Sequence, residues 1–158
     1  MSAQTLSIFC VLAVILTIAN AAFIPLNYKN CKSVFPIKAV RVENGEISDD
    51  HAVFKRGSKP VIQIQFEATA DTPSLTASVR SKMAGGSAFS NFALAADDAC
   101  AAGNLTCPLT SGNDYWYSQS VTIADTYPIV NGVQVNWALS SEGKAREVCI
   151  IFLANIIE

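Results

Sequence analysis

The chain has 158 residues, 51% hydrophobic side chains and a formal net charge of −2 at pH 7. This length and composition suit one globular domain with a sizeable core and argue against disorder. With 11 basic against 13 acidic side chains, the protein lacks the excess positive charge that a phosphate backbone attracts, so nucleic acid is not expected as a partner.

The first 21 residues have the pattern of a secretory signal peptide. They carry no charged side chain, and a mainly apolar run over 6–19 leads into Ala19-Asn20-Ala21, a small-x-small cleavage pattern. The missing basic start leaves a retained membrane anchor as the alternative, but the run is shorter than the roughly 20 residues of a membrane span. We therefore predict a signal peptide at 1–21 and an exported domain at 22–158.

The exported part is dominated by period-two alternation, which predicts strands with one buried face. In VIQIQFEA, for example, apolar and polar side chains alternate over 61–68. The predicted strands lie around 37–42 and over 61–68, 75–83, 115–123, 133–139 and 146–157. The last of these is apolar on both faces, as a central strand covered on each side would be. Alternation alone predicts that the side chains of Ile64, Phe66, Val121, Trp137 and Phe152 point inward.

Turn signals such as Asn44-Gly45, Gly85-Gly86 and Asn131-Gly132 separate these runs. Strands punctuated by turns, without a convincing long amphipathic helix, predict an all-β sandwich or barrel. The stretch 85–99 does not alternate, and it is predicted to be a loop or a short helix.

Removal of the signal peptide removes Cys10 and leaves Cys31, Cys100, Cys107 and Cys149. An even number of cysteines in an exported protein predicts disulfides, and four cysteines allow three connectivities. Spacing alone does not choose among them. The simplest topology pairs Cys100 with Cys107 in a small loop and Cys31 with Cys149 as a link between the first and last strands.

The motifs of catalysis and metal binding are missing from the sequence. The one histidine, His51, follows Asp49-Asp50 in what reads as a polar turn. Six residues separate Cys100 from Cys107, more than a zinc knuckle uses, and no paired ligands complete a zinc site. There is also no nucleophile elbow and no phosphate-binding glycine loop. We therefore predict a protein that is not an enzyme and holds neither metal nor cofactor.

The triplet Asn104-Leu105-Thr106 is an N-glycosylation sequon. It lies between Cys100 and Cys107, in a loop expected at the surface. In an exported protein, Asn104 is therefore a predicted glycosylation site.

Several segments together resemble one known family. They are Cys31 near the start, DAC and CPL separated by six residues over 98–109, the aromatic strand 115–117, Tyr127-Pro128, VNWAL at 135–139 and Cys149 in the last strand. This combination resembles the ML lipid-recognition domain, in the branch of Niemann-Pick type C2 (epididymal secretory) proteins and mite group 2 allergens. The resemblance covers residues from about 27 to 157.

The resemblance implies an immunoglobulin-like β-sandwich of two antiparallel sheets, splayed apart around an apolar pocket for a lipid. The family's pocket positions fall on Phe92, Ile123, Tyr127 and Pro128, with Ile129 or Val130 next because this chain has one extra residue there. Together with the inward side chains named above, these form the predicted ligand-binding set. The implied partner is a hydrophobic small molecule, held by a monomer that contacts a membrane or a lipid-transfer protein only transiently.

Two departures from the family pattern concern the ends of the sandwich. The family's second small disulfide loop has no counterpart in NGEISDDHAVFKRG at 44–57. The proline-rich stretch usual before the loop cysteine is replaced by SAFSNFALAADDA at 87–99, so we expect the ligand preference to differ and do not assume sterol transfer to a membrane partner.

The resemblance and the missing catalytic motifs together predict a secreted, non-enzymatic lipid carrier, located outside the cell or in the lysosomal lumen, for a sterol, fatty acid or similar ligand. One alternative is an immunoglobulin-like module that recognises a protein in innate immunity. The other is a carrier of semiochemicals, which shares the mechanism and differs only in its ligand.

Overall fold

The structure is a computed structural model that describes residues 22–142 and 146–158. The predicted signal peptide at 1–21 lies outside the described residues and stays a prediction. The described segments contain no helix long and apolar enough to cross a membrane.

The described residues form β-strands joined by turns and loops. In chain order the strands are β1 (Ile24–Pro25), β2 (Lys29–Asn30), β3 (Ile37–Glu43), β4 (Glu46–Ser48), β5 (His51–Lys55), β6 (Val61–Glu67), β7 (Thr76–Lys82), β8 (Ser90–Phe92), β9 (Asp114–Ser120), β10 (Val130–Ser140) and β11 (Arg146–Ile157). Each predicted strand corresponds to one of these. The stretch 85–99 is a loop that contains the short strand β8 rather than a helix.

The strands build two sheets that pack face to face as a sandwich. One has the order β1-β3-β6-β9, and the other has the order β4-β5-β11-β10-β7-β8, with β2 also paired to β11. The predicted all-β immunoglobulin-like sandwich is therefore confirmed. One strand pair departs from the expected antiparallel arrangement, because β5 runs parallel to β11.

The β4–β5 hairpin occupies the segment in which the family usually has its second disulfide loop. It pairs Glu46–Ser48 with His51–Val53 in antiparallel register and extends the sheet beyond β11. His51, expected in a polar turn, is the first residue of β5, with its Nδ1 atom 3.1 Å from Oδ1 of Asn155. Main-chain pairing thus orders this end of the sandwich without a cross-link.

The interior follows the alternation in the sequence. In β6 the side chains of Ile62, Ile64 and Phe66 are buried, and the glutamines between them are half-buried. Burying such side chains stabilises the fold by about 1.5–3 kcal/mol each. In β11, Val148, Cys149 and Ile150 are all fully buried, which explains why this strand is apolar on both faces.

Two disulfides close the fold, Cys31–Cys149 and Cys100–Cys107, with Cα–Cα distances of 5.1 and 5.8 Å. The first links the start of the domain to the central strand β11. Next to it, the Ser33 hydroxyl accepts a hydrogen bond from the Cys149 amide at 2.8 Å. The second closes the loop in which Gly103 packs directly on the Tyr117 ring, leaving no room for a side chain at Gly103.

Candidate functional site

A cavity of about 420 Å³ lies between the two sheets and opens at one end of the sandwich. Most of its wall comes from the inner face of the seven-stranded sheet, and the rest comes from β6 and the segment after β9. The lining residues are Phe54, Ile62, Val79, Ser81, Met83, Asn91, Phe92, Ala93, Val121, Ile123, Tyr127, Pro128, Val130, Val133, Val135, Trp137, Phe152, Ala154 and Ile156. The volume falls within the range of about 300–1,000 Å³ that is typical of small-molecule pockets.

The exposed residues of the cavity lining are Met83, Asn91, Ala93 and Pro128, which places the opening between β8 and the segment that follows β9. Here Phe92 and Tyr127 meet edge to face, with ring centroids 6.1 Å apart and an interplanar angle of 74°. Phe92 is held by pairing with Val79 of β7, and Tyr127 by a turn in which its amide donates to the Ala124 carbonyl at 3.0 Å. Both residues are half-buried, and both line the cavity.

The segment after β9 is fixed against the turn before β6. The Val121 amide donates to the Pro60 carbonyl, and the Ile123 amide donates to the Ser58 carbonyl, both at 3.0 Å. These two bonds continue the pairing of the sheet past the end of β9 and turn Val121 and Ile123 into the cavity.

The cavity wall is almost wholly apolar. The polar groups of its lining side chains are those of Ser81, Asn91 and Tyr127, on or beside β8 and in the segment after β9, and the indole N–H of Trp137, which is bonded to the Tyr117 hydroxyl. Acidic, basic, histidine and cysteine side chains do not occur among the lining residues, and the described residues contain no cluster suited to a metal ion. What this arrangement offers a ligand is burial of apolar surface, with a few hydrogen-bonding groups at the entrance.

Most of the predicted ligand-binding residues lie on the cavity wall. These are Phe92, Val121, Ile123, Tyr127, Pro128, Val130, Trp137 and Phe152. Whether they contact a ligand stays a prediction.

Ile64 and Phe66 lie elsewhere, in the packed end of the sandwich. Phe66 stacks on Phe35 and Tyr115, with ring centroids 5.9 and 6.2 Å apart, and Ile64 is fully buried. Alternation shows that a side chain points inward, but the position at which the two sheets separate is a property of the whole sandwich. On β6 the separation begins at Ile62, which lines the cavity.

A buried polar network lies behind the cavity wall. The Trp137 indole N–H donates to the Tyr117 hydroxyl at 3.3 Å, and that hydroxyl donates to Oε1 of Gln119. Nε2 of Gln119 donates in turn to the Ala96 carbonyl at 2.7 Å. Burial raises the pKa of Tyr117 well above its usual range, so its hydroxyl keeps the proton that it donates.

Gln119 occupies an inward-facing position of β9 that is not among the predicted interior positions. It stands two residues after Tyr117 and two before Val121, the spacing of side chains on one face of a strand. A glutamine at an inward position of a strand is the signal that could have revealed the network, because a buried amide needs hydrogen-bond partners.

The chain matches a known protein family over most of its length. A family model described as the ML domain matches residues 25–156. The chain belongs to the ML-domain family. ML domains bind hydrophobic lipids, and the cavity of this one lies between the sheets, where the resemblance placed it.

Two curated relatives share most of this ML domain. The putative protein heh-1 of Caenorhabditis elegans is 41% identical over 148 residues, which cover 91% of this chain and 95% of that protein. The NPC intracellular cholesterol transporter 2 homolog a of Drosophila melanogaster is 27% identical over 132 residues, covering 83% and 87%.

A solved structure supports the fold of the domain. The crystal structure of a Niemann-Pick type C2 protein from the Japanese carpenter ant superposes with a TM-score of 0.74 and 17% sequence identity. The match covers 84% of this chain and all of the ant chain. At this identity the likeness concerns the fold alone.

Proposed function

We propose that this ML-domain protein is a secreted, non-enzymatic carrier that holds a sterol, a fatty acid or a similar amphiphile between its two sheets. The observation that carries the proposal is the apolar cavity of about 420 Å³. Each Å² of apolar surface that a ligand buries there contributes about 25 cal/mol before the entropic costs of binding. The cholesterol-transporter name of the fly relative supports a sterol among the candidate ligands.

Export is part of the proposal. Its supports are the signal-peptide pattern at 1–21 and the two disulfides, because disulfides persist in oxidising compartments and are rare in the cytosol. We propose extracellular fluid or the lysosomal lumen as the destination.

Lipid extraction tests the carrier function. The protein is purified from the medium of a eukaryotic secretory host, extracted with organic solvent, and its lipids are identified by mass spectrometry. We expect close to one sterol or fatty-acid molecule per chain. Protein that yields no lipid, and that after delipidation takes up neither cholesterol nor oleate, would count decisively against a carrier.

The innate-immunity alternative requires a protein-binding surface on a solid sandwich. An interior that retains a cavity favours the carrier, because an unfilled apolar space loses packing contacts that a recognition module would have no reason to give up. A semiochemical carrier would use the same cavity, and the lipid extraction distinguishes it by the identity of the ligand.

Two matched phenylalanine substitutions should separate binding from folding. Phe92→Ala removes a half-buried ring from the cavity opening, and we expect it to weaken lipid affinity about tenfold with little loss of stability. Phe66→Ala removes a fully buried ring away from the cavity. It should lower the free energy of unfolding by about 3–5 kcal/mol but leave the affinity of the folded protein unchanged.

The measurements for this pair are titration with a fluorescent sterol and denaturant unfolding. Tyr127→Ala, which removes the other half of the aromatic pair at the opening, should behave as Phe92→Ala does. Equal losses of affinity in Phe92→Ala and Phe66→Ala would contradict the assignment of the opening.

We further propose that Asn104 carries an N-linked glycan. Asn104 and Thr106 are exposed in the disulfide loop, and Leu105 between them is buried, so the sequon is fixed at the surface and away from the cavity wall. The secreted protein should lose mass on treatment with peptide N-glycosidase, and Asn104→Gln should abolish this loss. A wild-type protein secreted at its unmodified polypeptide mass would refute the proposal.

A further inference from the structure

Gln119 is a polar side chain in the interior of the sandwich, on the inner face of β9. It is only 5% exposed, and both ends of its amide are bonded, Oε1 by the Tyr117 hydroxyl and Nε2 to the Ala96 carbonyl. A buried amide without partners would be costly, so these two bonds fix where the Gln119 side chain and its partners lie.

The Ala96 carbonyl belongs to the stretch of chain that leaves the cavity opening. Phe92 ends β8, and both Phe92 and Ala93 line the cavity. At Asp97 the chain is held again, since the Asp97 carbonyl accepts from the Ala77 amide at 2.7 Å. Residues 93–96, which we call the mouth segment, therefore form a short bridge between two fixed points.

The mouth segment has little else to hold it. Within the part of the chain that the structure describes, the hydrogen bond from Gln119 is the one that reaches the main chain of 93–96 from another element. Leu94 adds a partly buried contact with the core. Loss of the Gln119–Ala96 bond would therefore release the mouth segment beside the opening.

We propose that Gln119 is a positioning residue that holds the mouth segment against the sandwich and so sets the rate at which a lipid passes the opening. This rests on the proposed carrier function, because passage of lipid presupposes a lipid-binding cavity. Of the mouth segment only Ala93 lines the cavity, and the bond from Gln119 reaches Ala96, which does not. Loss of the bond should therefore speed entry and exit of lipid together and leave the equilibrium affinity almost unchanged.

Two variants that each disturb the same buried network test the proposal. Gln119→Leu removes the bond to the mouth segment, whereas Tyr117→Phe removes the hydroxyl and leaves the Gln119–Ala96 bond in place. Denaturant unfolding shows whether the two lose similar stability. Limited chymotrypsin digestion, with the cut after Leu94 followed by mass spectrometry, reports on the mouth segment without any lipid.

We expect Gln119→Leu to be cut after Leu94 about tenfold faster than wild type, the factor that corresponds to loss of one hydrogen bond. Tyr117→Phe should be cut at the wild-type rate. An unchanged rate in Gln119→Leu, or equal acceleration in both variants, overturns the positioning role.

Stopped-flow fluorescence with dehydroergosterol as the probe tests the effect on passage. Association and dissociation should both accelerate about tenfold in Gln119→Leu, in line with the digestion, and the dissociation constant should stay near the wild-type value. A changed dissociation constant with an unchanged association rate would contradict a role at the opening. A wild-type protein that takes up no dehydroergosterol would count against the sterol-carrier proposal, while the digestion alone decides the role of Gln119.

Discussion

Replacement of both Cys31 and Cys149 by alanine is expected to lower the free energy of unfolding by about 5 kcal/mol, close to the whole stability of many small domains. The disulfide closes a loop with a sequence separation of 118 residues, and the entropy removed from the unfolded chain grows with loop length. Cys149 is also fully buried in the central strand β11. Denaturant unfolding of the lipid-free protein measures the loss.

The second disulfide supplies the matched control. Cys100 and Cys107 are separated by only 7 residues, so their double alanine variant should lose about 2.5 kcal/mol by the same reasoning. A larger loss from the small loop than from the long one would show that chain entropy does not dominate and that local packing around Tyr117 does.

Filling the cavity should abolish lipid binding while the protein stays folded. Ala154 is buried on β11, lines the cavity, and lies opposite Val133 of β10. Ala154→Phe would place a ring in space that is otherwise open to a ligand, so we expect a loss of affinity of at least about a hundredfold. Because the space exists, the cost in stability should stay below the roughly 1–3 kcal/mol of overpacking a tight core.

A volume series makes this prediction quantitative. Ala154→Val and Ala154→Leu should lose affinity in increasing order before Ala154→Phe, as measured by titration with dehydroergosterol and with a fluorescent fatty acid. Ala77→Phe is the control, since Ala77 is buried on β7 but does not line the cavity, and it should mainly destabilise. Unchanged binding in Ala154→Phe would place the ligand outside the cavity.

Most of the longer strands could be predicted from the sequence because each holds several repeats of apolar and polar alternation, and β11 could be predicted because it is a long apolar run. Strands such as β2 and β8 have two and three residues, too few for a period to emerge. The parallel pairing of β5 with β11 joins segments about a hundred residues apart in the chain. Local patterns carry no information on such a pairing.

The sequence predicted which side chains point into the sandwich, but not which of those side chains line the cavity. Alternation and the family resemblance together pointed to residues that do line the cavity, such as Phe92 and Trp137. Alternation could not tell Ile62, on the wall, from Ile64 and Phe66 in the packed end. Gln119 is not among the predicted inward residues, because a polar side chain is normally expected at the surface, although its place in the strand indicates the interior.

The two tryptophans of the chain allow a direct test of where the ligand lies. Trp137 lines the cavity, whereas Trp116 points to the other side of β9, with the Arg41 guanidinium 4.0 Å from its ring centroid. Trp116→Phe therefore leaves one tryptophan inside, and Trp137→Phe leaves one outside.

Quenching by spin-labelled stearic acid and spin-labelled cholestane, which acts only at short range, should then be measured in both variants. The central claim, that a lipid binds between the sheets, predicts saturable quenching of Trp137 in Trp116→Phe and almost none of Trp116 in Trp137→Phe. Quenching of the Trp116 fluorescence, with the Trp137 fluorescence unquenched, would contradict binding between the sheets.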